Sequence, residues 1–301
     1  MYPKYPYYKK ITETKQQPLT FKPQHQDQQP GIETAMDPKP IIENPDYKGS
    51  EKLKNKVAII TGGDSGIGAS VAIAYAKEGA DLVIPYFYEY ENEDAFRTKK
   101  RIEELGRKCL LITGDLREPK HCESVINQTI ESFGKLNILV NNHGVQFPQA
   151  SLTNITNEQF DDTFKTNIYS FFYLAKAALP HLNEGDAIIN TTSVVAYEGN
   201  KQLIDYTATK GAIVGFTSAL SQNVADKGIR VNAVAPGPIW TPLIPASFSR
   251  QDVEKFGADT PMKKAGQPFE LAPAYVYLSS DDSCYVTGQV IHVNGGKMVS
   301  S

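Results

Sequence analysis

The most constraining feature of this sequence is the segment Thr61-Gly-Gly-Asp-Ser-Gly-Ile-Gly68, which joins a short apolar run at 57–60 to an alanine-rich helical pattern at 69–77. Its glycines permit a tight turn, close approach of backbone N–H groups to a pyrophosphate, and close packing of the helix on the sheet. Because the start of such a helix faces the phosphates, the segment predicts a dinucleotide site. A plain βα turn is the simpler alternative.

Length and composition favour one large domain with an extension. The chain has 301 residues and is 41% hydrophobic, and an α/β domain commonly takes about 200 to 250 residues. The first 50 residues hold 8 of the 19 prolines and show no helical or strand periodicity. We therefore predict a Pro/Gln/Tyr-rich arm over 1–50 and the folded domain over 51–301. Within the arm, we expect a solvated tail over 1–25 and a strap on the domain surface over 26–50.

Charge and cysteine content exclude several classes of protein. A net charge of -3 and a pI near 6.0 give no reason to expect a nucleic-acid or anionic-membrane partner. No run approaches the roughly 18 apolar residues of a membrane span, and the first residues lack the apolar core of a signal peptide. Cys109, Cys122 and Cys284 have neither paired nor metal-like spacing, and no histidine cluster exists, so we expect small buried cysteines, no metal and a cytoplasmic location.

Short β-branched runs alternate with helical patterns after residue 53. Such alternation indicates a doubly wound parallel sheet with helices on both faces. The predicted strands are 57–60, 82–86, 108–112, 138–141, 187–191, 230–234 and 289–293. The predicted helices are 66–78, 92–105, 119–133, 163–181, 205–226 and 269–279.

Tyr206 and Lys210 are one helical turn apart, so the phenol and the ammonium share a helix face. The spacing alone means little, because Tyr197 and Lys201 show it too. Tyr206 differs in its surroundings, since its helix begins soon after Ser193, at the end of a predicted buried strand. Ligands of doubly wound sheets bind beyond the carboxyl ends of the strands, where Asn141 and the glycine loop also lie.

Six elements, in order and at family-like spacing, resemble the short-chain dehydrogenase/reductase family. They are Thr61-Gly-x-x-x-Gly-Ile-Gly68, Asn141-Asn-His-Gly144, Asn167, Ser193, Tyr206-x-x-x-Lys210 and Pro236-Gly237. The resemblance covers residues 53–296 and implies a single seven-stranded Rossmann-type domain. Within the family, the chain is most similar to bacterial general-stress oxidoreductases related to glucose and ribitol dehydrogenases, which also carry an N-terminal extension.

The resemblance implies a catalytic set. Tyr206 would exchange a proton with the substrate oxygen, Ser193 would hold that oxygen, and Lys210 would bind the nicotinamide ribose. Asn167 would anchor a water that relays protons. One charge at about 4 Å supplies about 4 kcal/mol at an effective dielectric near 20, roughly what a phenol needs to titrate near neutrality.

The resemblance also implies the cofactor-binding residues, among which Asp115, alone, reads equally well as a helix cap. The set is Gly62, Asp64, Ser65, Gly66, Ile67, Gly68, Asp115, Leu116, Asn142, Gly144, Tyr206, Lys210, Pro236, Gly237, Ile239 and Thr241. We expect NAD rather than NADP, because neither 61–68 nor 86–91 contains the Arg or Lys that a 2′-phosphate needs. His143 departs from the usual alanine of the family, and we do not expect it to be catalytic.

These observations predict hydride transfer between a nicotinamide cofactor and a small alcohol or carbonyl. The segment 238–267 is long enough for a substrate lid, in which Trp240 either lines the pocket or anchors the lid. The substrate pocket would be mixed polar and aromatic, from Val145, Gln146, Phe147, Val195 and Tyr197.

The family assembly implies a homotetramer. It would pair through the fourth and fifth helices and the last strand. One alternative is a dinucleotide-binding protein that acts by association through its arm, and another is an acyl-thioester reductase, which the acidic charge balance does not favour. In each case, we expect removal of residues 1–40 to leave the fold and the cofactor site intact.

Overall fold

A computed structural model describes residues 3–6 and 16–298, and its centre is a seven-stranded parallel sheet. The strands are β3 (Val57–Ile60), β4 (Asp81–Tyr86), β5 (Cys109–Thr113), β6 (Ile138–Asn141), β7 (Ala187–Thr191), β8 (Arg230–Pro236) and β9 (Val290–Val293). Their order across the sheet is β5-β4-β3-β6-β7-β8-β9. The chain reverses direction across the sheet between β3 and β6, which opens a crevice at their carboxyl ends.

Helices cover both faces of this sheet. They are α1 (Gly66–Lys77), α2 (Asn92–Glu104), α3 (Pro119–Phe133), α4 (Asn157–Phe164), α5 (Ser170–Ala178), α6 (Val195–Glu198), α7 (Ile204–Val224), α8 (Arg250–Glu254) and α9 (Ala272–Ser279). Helices α1, α2 and α9 contribute to one apolar core, whereas α3, α5 and α7 contribute to the other. Neighbouring strand residues such as Ile59 and Ile60 point into opposite cores, as the pleat requires.

The predicted fold class and all seven predicted strands are confirmed, with ends that differ by at most two residues. The fourth predicted helix, 163–181, was too short. The helical region begins with α4 at Asn157, and the Thr156 side chain caps α4 by accepting a hydrogen bond from the backbone N–H of Gln159. A π-helical segment, Lys165–Tyr169, then connects α4 to α5.

The arm departs from the predicted tail. Strands β1 (Lys4–Pro6) and β2 (Gln16–Pro18) form a small antiparallel pair, and the side chain of Phe21 is completely buried. A solvated tail is therefore wrong for residues 16–25, because apolar burial holds them on the domain. Residues 1, 2 and 7–15 lie outside the described residues. Residues 26–50 follow the surface as a strap, and the division of the chain at residue 50 stays a prediction.

Two smaller findings concern the cysteines and the long helices. Cys109 and Cys122 are buried, but Cys284 is exposed, so the expectation of three buried cysteines was wrong for this residue. Within residues 3–6 and 16–298, no helix is both long enough and apolar enough to cross a membrane. The same residues contain no cluster of His, Cys, Asp and Glu suited to a metal ion.

Candidate active site

A cleft of about 540 Å³ lies at the carboxyl ends of the strands, and most residues predicted for the site line it. The lining residues are Gly62, Asp64, Ser65, Gly66, Ile67, Asp115, Leu116, Asn142, Gly144, Ser193, Tyr206, Lys210, Pro236, Gly237, Ile239 and Thr241. Of the predicted catalytic and cofactor-binding residues, only Gly68 and Asn167 do not line the cleft. The sequence therefore brings together side chains that are as much as 179 positions apart, from Gly62 to Thr241.

The glycine loop carries the geometry that its sequence implies. Gly62 and Gly66 have φ angles of +63° and +51°, which other residues rarely adopt. A Cβ on Gly68 would lie 2.0 Å from the Gly62 carbonyl oxygen, so this glycine allows the loop to close on itself. Gly68 therefore serves packing, while Gly62 and Gly66 shape the wall of the cleft.

The glycine loop is connected to the segment after β6 through Thr61. The hydroxyl of Thr61 accepts hydrogen bonds from the backbone of Asn142, at 2.9 Å, and of His143, at 3.3 Å. The Asn142 side chain donates to the Thr61 carbonyl at 3.1 Å. These bonds join the ends of two neighbouring strands, so the switch point of the sheet is held rigidly.

His143 is a buried connector. Its Nδ1 lies 2.8 Å from the Thr61 hydroxyl and its Nε2 lies 2.9 Å from the Ser170 hydroxyl. Since Ser170 donates its own proton to the Thr166 carbonyl, the tautomer with hydrogen on Nε2 fits this contact, and Nδ1 then shares the Thr61 hydroxyl proton with the Val140 carbonyl, which lies 3.3 Å from that hydroxyl. Burial, with a contribution from the Lys210 charge, lowers the pKa of His143 to about 3. The imidazole is therefore neutral and structural, which agrees with its exclusion from the catalytic set.

Tyr206 and Lys210 lie side by side on α7, with the ammonium 5.3 Å from the centre of the phenol ring. Lys210 donates to the Thr191 carbonyl at 2.9 Å. Burial raises the pKa of Tyr206 to about 12, although a hydrogen bond with Ser193 acts in the opposite direction, and burial lowers the pKa of Lys210 to about 7. The simple estimate of one lysine charge acting on one phenol omitted this desolvation, which opposes both charges.

Asn167 lies behind the cleft, fully buried in the π-helical segment. Its amide oxygen accepts from the Val145 N–H at 2.8 Å, and its amide nitrogen donates to the Val145 carbonyl at 2.9 Å and to the Thr209 hydroxyl at 3.2 Å. Isolated π-helical turns often mark functional sites, because they redirect side chains and carbonyl groups. Here the turn holds the wall of the cleft against α7, while the predicted water relay stays a prediction.

The walls of the cleft fit a dinucleotide. Gly144 leaves space where a Cβ would lie 3.2 Å from the Asn167 oxygen and 3.7 Å from Lys210 Nζ. The first residues of α1, whose backbone N–H groups favour anions, line the same cleft. The fit therefore rests on two features: Gly144 has no side chain, and the start of α1 presents backbone N–H donors to the cleft.

Arg117 is a site residue that the sequence did not indicate. Its guanidinium lies over the Phe87 ring, 5.4 Å from the ring centre, and it also lines the cleft. Asp115 holds it through hydrogen bonds of 2.7 and 3.0 Å. Burial alone would raise the pKa of Asp115, but the contacts with Arg117 outweigh it and lower that pKa. Only the fold places this cation beside the end of β4, because 30 residues separate it from Phe87.

The arm also reaches the cleft, which counts against the expectation that its removal leaves the cofactor site intact, although that expectation stays a prediction. Gln29, Pro30 and Gly31 line the cleft, and the Glu33 carboxylate accepts a hydrogen bond from the Gly66 N–H at 2.7 Å. No spacing signal predicts these contacts, because a proline-rich segment has no periodicity from which to infer a face.

The arm packs against the predicted lid segment, 238–267. Trp240 is fully buried, stacks on Phe21 with ring centres 3.8 Å apart, and donates to the Pro38 carbonyl at 2.8 Å. It anchors the lid and does not line the cleft. Tyr197 does not line it either, since its ring lies against His292, 4.6 Å between ring centres. Val145, Gln146, Phe147 and Val195 line the cleft as expected.

Known proteins are similar to this chain both in sequence and in fold. A family model described as enoyl-(acyl carrier protein) reductase matches residues 62–297. General stress protein 39 of Bacillus subtilis is 57% identical over 94% of this chain and 99% of its own length, and the glucose and ribitol dehydrogenase of Daucus carota is 48% identical over 93% and 98%. A solved structure, a short-chain dehydrogenase from Burkholderia cenocepacia in complex with NADP, is 31% identical with a TM-score of 0.75 and covers 82% of this chain and 99% of that one.

The chain belongs to the short-chain dehydrogenase/reductase family, and the resemblance to the general-stress and glucose/ribitol group is confirmed. It is an oxidoreductase of that family. The sequence relative and the solved structure align with different shares of this chain. An alignment over 94% of the chain extends well into the first 50 residues, whereas one over 82% omits about as many residues as the arm contains. The arm is thus shared with close relatives and accompanies a standard domain.

Proposed function

We propose that this protein transfers hydride between a nicotinamide dinucleotide and a small alcohol or carbonyl compound, with Tyr206 as the general acid and base. The supporting observation is that Ser193, Tyr206 and Lys210 line one cleft with the glycine loop. The dinucleotide supplies the hydride when it is bound. A relative of 48% identity is named for glucose and ribitol, which makes polyols and sugars the first substrates to test.

The residues of the chain divide the proton chemistry. Because its pKa is raised to about 12, Tyr206 keeps its proton near neutral pH and is ready to donate it to a carbonyl oxygen. Ser193, within hydrogen-bonding reach of Tyr206, would hold that oxygen. In the reverse direction the phenolate form of Tyr206 accepts the proton of the alcohol, and the Lys210 ammonium would stabilise that phenolate before the transfer. Lys210 has a pKa near 7, so a further anionic or hydroxyl partner would favour its charged form.

The choice between NAD and NADP has evidence on each side. The predicted NAD preference rests on the absence of Arg and Lys from 61–68 and 86–91. Arg117, above Phe87, and the NADP in the solved relative count against it. Calorimetric titration with both dinucleotides decides the matter. Tighter NADP binding that Arg117→Ala removes would assign the 2′-phosphate to Arg117, and tighter NAD binding would uphold the sequence prediction.

We also propose the homotetramer that the family implies and the cytoplasmic location expected from the cysteine pattern and the apolar runs of the sequence. Phe160 on α4 and Phe172 on α5 are both more than 40% exposed and support an interface at and just before the fourth predicted helix, 163–181; the fifth predicted helix, 205–226, corresponds to α7. Light scattering after size exclusion measures the assembly. The rival proposal, a protein that acts by association through its arm, gains less support, because the arm is packed against its own domain.

A turnover screen tests the proposed function. Purified protein is offered sugars, polyols, aldehydes and ketones with NAD(H) and NADP(H), and the absorbance of the reduced nicotinamide is followed. We expect turnover of at least one polyol or aldehyde. Dinucleotide binding without turnover of any compound would favour the association hypothesis.

A further inference from the structure

We propose that residues 29–34, here called the clasp, are a working part of the dinucleotide site, and that Glu33 and Gln29 are positioning residues for its two walls. The proposal rests on the proposed function, because it requires that the cleft binds a dinucleotide. It extends the site to a segment that the nucleotide motifs of the family domain do not include.

One end of the clasp holds the glycine loop. Glu33 is 2% exposed, and its Oε2 accepts from the Gly66 N–H at 2.7 Å while its Oε1 accepts from Arg97 at 2.5 Å. Asp94 fixes the clasp backbone in turn, by accepting from the N–H groups of Glu33 at 2.6 Å and Thr34 at 3.1 Å. The first peptide of α1, which lines the cleft, is therefore fixed by a carboxylate from the arm.

The other end of the clasp holds the opposite wall. The Gln29 amide donates to the Gln146 carbonyl at 2.6 Å and accepts from the Gln146 N–H at 3.1 Å. The preceding residue, Val145, makes the same pair of bonds with Asn167. Two side-chain amides thus hold consecutive residues of the wall, one from the arm and one from the domain.

Between its ends the clasp touches the lid. A Cβ on Gly31 would lie 2.4 Å from the Pro242 carbonyl oxygen and 2.9 Å from the Ala246 Cβ. Gln29, Pro30 and Gly31 themselves line the cleft. The clasp therefore crosses the cleft between the glycine loop and the wall after β6, in direct contact with the lid.

A second attachment of the arm provides a matched control. Glu43 pairs with Lys77, the last residue of α1, at 2.7 Å, and with Arg101 of α2 at 2.9 and 3.0 Å. It does not line the cleft. Glu33 and Glu43 are thus two ion-paired carboxylates of one arm at opposite ends of one helix, and neither lines the cleft, but only Glu33 bonds a residue that does, Gly66.

The experiment compares four full-length variants with the wild-type chain, and measures the Kd for NAD and NADP by calorimetry and the Tm without dinucleotide. For Glu33→Ala we expect a Kd weakened about 10- to 100-fold, the equivalent of one charge-assisted hydrogen bond. Glu33→Gln keeps one acceptor, for the Gly66 N–H, but places an NH2 group against Arg97, so its Kd should lie between those of wild type and Glu33→Ala. Gln29→Ala should weaken binding about 3- to 10-fold, as expected for neutral hydrogen bonds.

The control separates positioning from stability. Glu43→Ala should lower the Tm and leave the Kd within about twofold of wild type. If Glu33→Ala lowers only the Tm and leaves the Kd unchanged, the clasp is an ordinary anchor and the proposal is wrong. If Glu33→Ala does not fold, an unchanged Kd in Gln29→Ala overturns the proposal equally. Failure of the wild-type chain to bind either dinucleotide would instead defeat the proposed function itself.

Discussion

The catalytic end of the cleft and its glycine-loop end are both buried, but they carry groups of opposite charge. At the catalytic end, burial lowers the pKa of Lys210 to about 7. At the glycine-loop end, burial is the largest influence on Glu33, Asp64 and Glu91, and their pKa values rise to about 7, 6 and 8. Desolvation thus moves cation and carboxylates alike toward neutrality.

The difference lies in what each end does with its weakened charge. At the catalytic end, the proposed function assigns the groups to proton transfer, and a partner that favours the ammonium would restore the charge of Lys210. At the other end, carboxylates surround a helix N-terminus that favours anions, so their neutral forms reduce repulsion of a phosphate. In the proposed function, the catalytic end carries out the proton transfer, and the glycine-loop end accommodates the phosphates of the dinucleotide.

The largest expected effect tests the catalytic end. Tyr206→Phe removes one hydroxyl and little volume, so packing should barely change while the proton donor disappears. We expect turnover to fall about 10²- to 10⁴-fold while the Kd for the dinucleotide changes little. Steady-state kinetics on a substrate found by the screen, together with calorimetry, measures both quantities.

The chain provides an internal control for this substitution. Tyr197 has the same spacing to a lysine, but its ring lies outside the cleft against His292. Tyr197→Phe should therefore keep most of the activity. Equal losses in the two variants, or full activity in Tyr206→Phe, would show that the chemistry lies elsewhere.

The position of the catalytic end could be predicted from the sequence because Ser193 and the glycine loop follow strands, whereas the roles of Tyr206 and Lys210, on α7, came from the resemblance to the family. A buried parallel strand is recognisable by its composition, and strand ends meet at one edge of the sheet. Ser193 lines the cleft as this argument predicted, whereas Asn141, the last residue of β6, does not line it and donates to the Asn190 side chain at 2.9 Å. Their desolvation could not be predicted, since the burial of Tyr206 and Lys210 depends on the lid and on helices packed from elsewhere in the chain.

The second largest effect tests how firmly the arm is attached. Phe21→Ala removes a fully buried ring that stacks on Trp240 at 3.8 Å. Loss of a buried phenylalanine typically costs about 3 to 5 kcal/mol of the free energy of unfolding. Chemical denaturation should show a loss of this size, whereas Phe96→Ala, at a ring that is 58% exposed, should cost far less. A negligible loss at Phe21 would restore the predicted solvated tail.

The arm was largely beyond prediction because its contacts are long-range and its sequence has no period. Phe21 and Trp240 are 219 positions apart, and Gln29 and Gln146 are 117 apart. Tyrosines and a phenylalanine in a proline-rich segment indicate anchoring, but nothing in their spacing indicates the partners. The two parts of the molecule differ in predictability for this physical reason.

A smaller effect is expected at His143, where the family usually has alanine. His143→Ala removes the bridge between Thr61 and Ser170 and should cost about 1 to 3 kcal/mol of the free energy of unfolding. The folded pKa of about 3 lies below the usual 6.5, so this histidine contributes stability that is complete above pH 6.5 and lost as the pH falls toward 3. The variant should be less sensitive to acid in that range. An altered pH profile of turnover near neutrality would contradict its structural role.

The smallest expected effect concerns pH at the glycine-loop end. The pKa of Glu33 is raised from 4.5 to about 7, so its contribution to stability is complete below pH 4.5 and is lost as the pH rises through 7. Glu33→Gln removes this dependence. The Tm of the variant relative to wild type should therefore increase between pH 5 and pH 8, by about 2 to 4 °C if the net effect is on the order of 1 kcal/mol.

Glu43 supplies a control of opposite sign for this last prediction. Burial alone would raise its pKa, but Arg101 and Lys77 outweigh burial and lower it, so its contribution is present at neutral pH and is lost in acid. The Tm of Glu43→Gln relative to wild type should therefore decrease as the pH rises from acid to neutral. Thermal scans of the three proteins across that range measure both trends. Parallel trends in the two variants would mean that the arm responds to pH as a whole, and that the carboxylate at the glycine loop has no electrostatic character of its own.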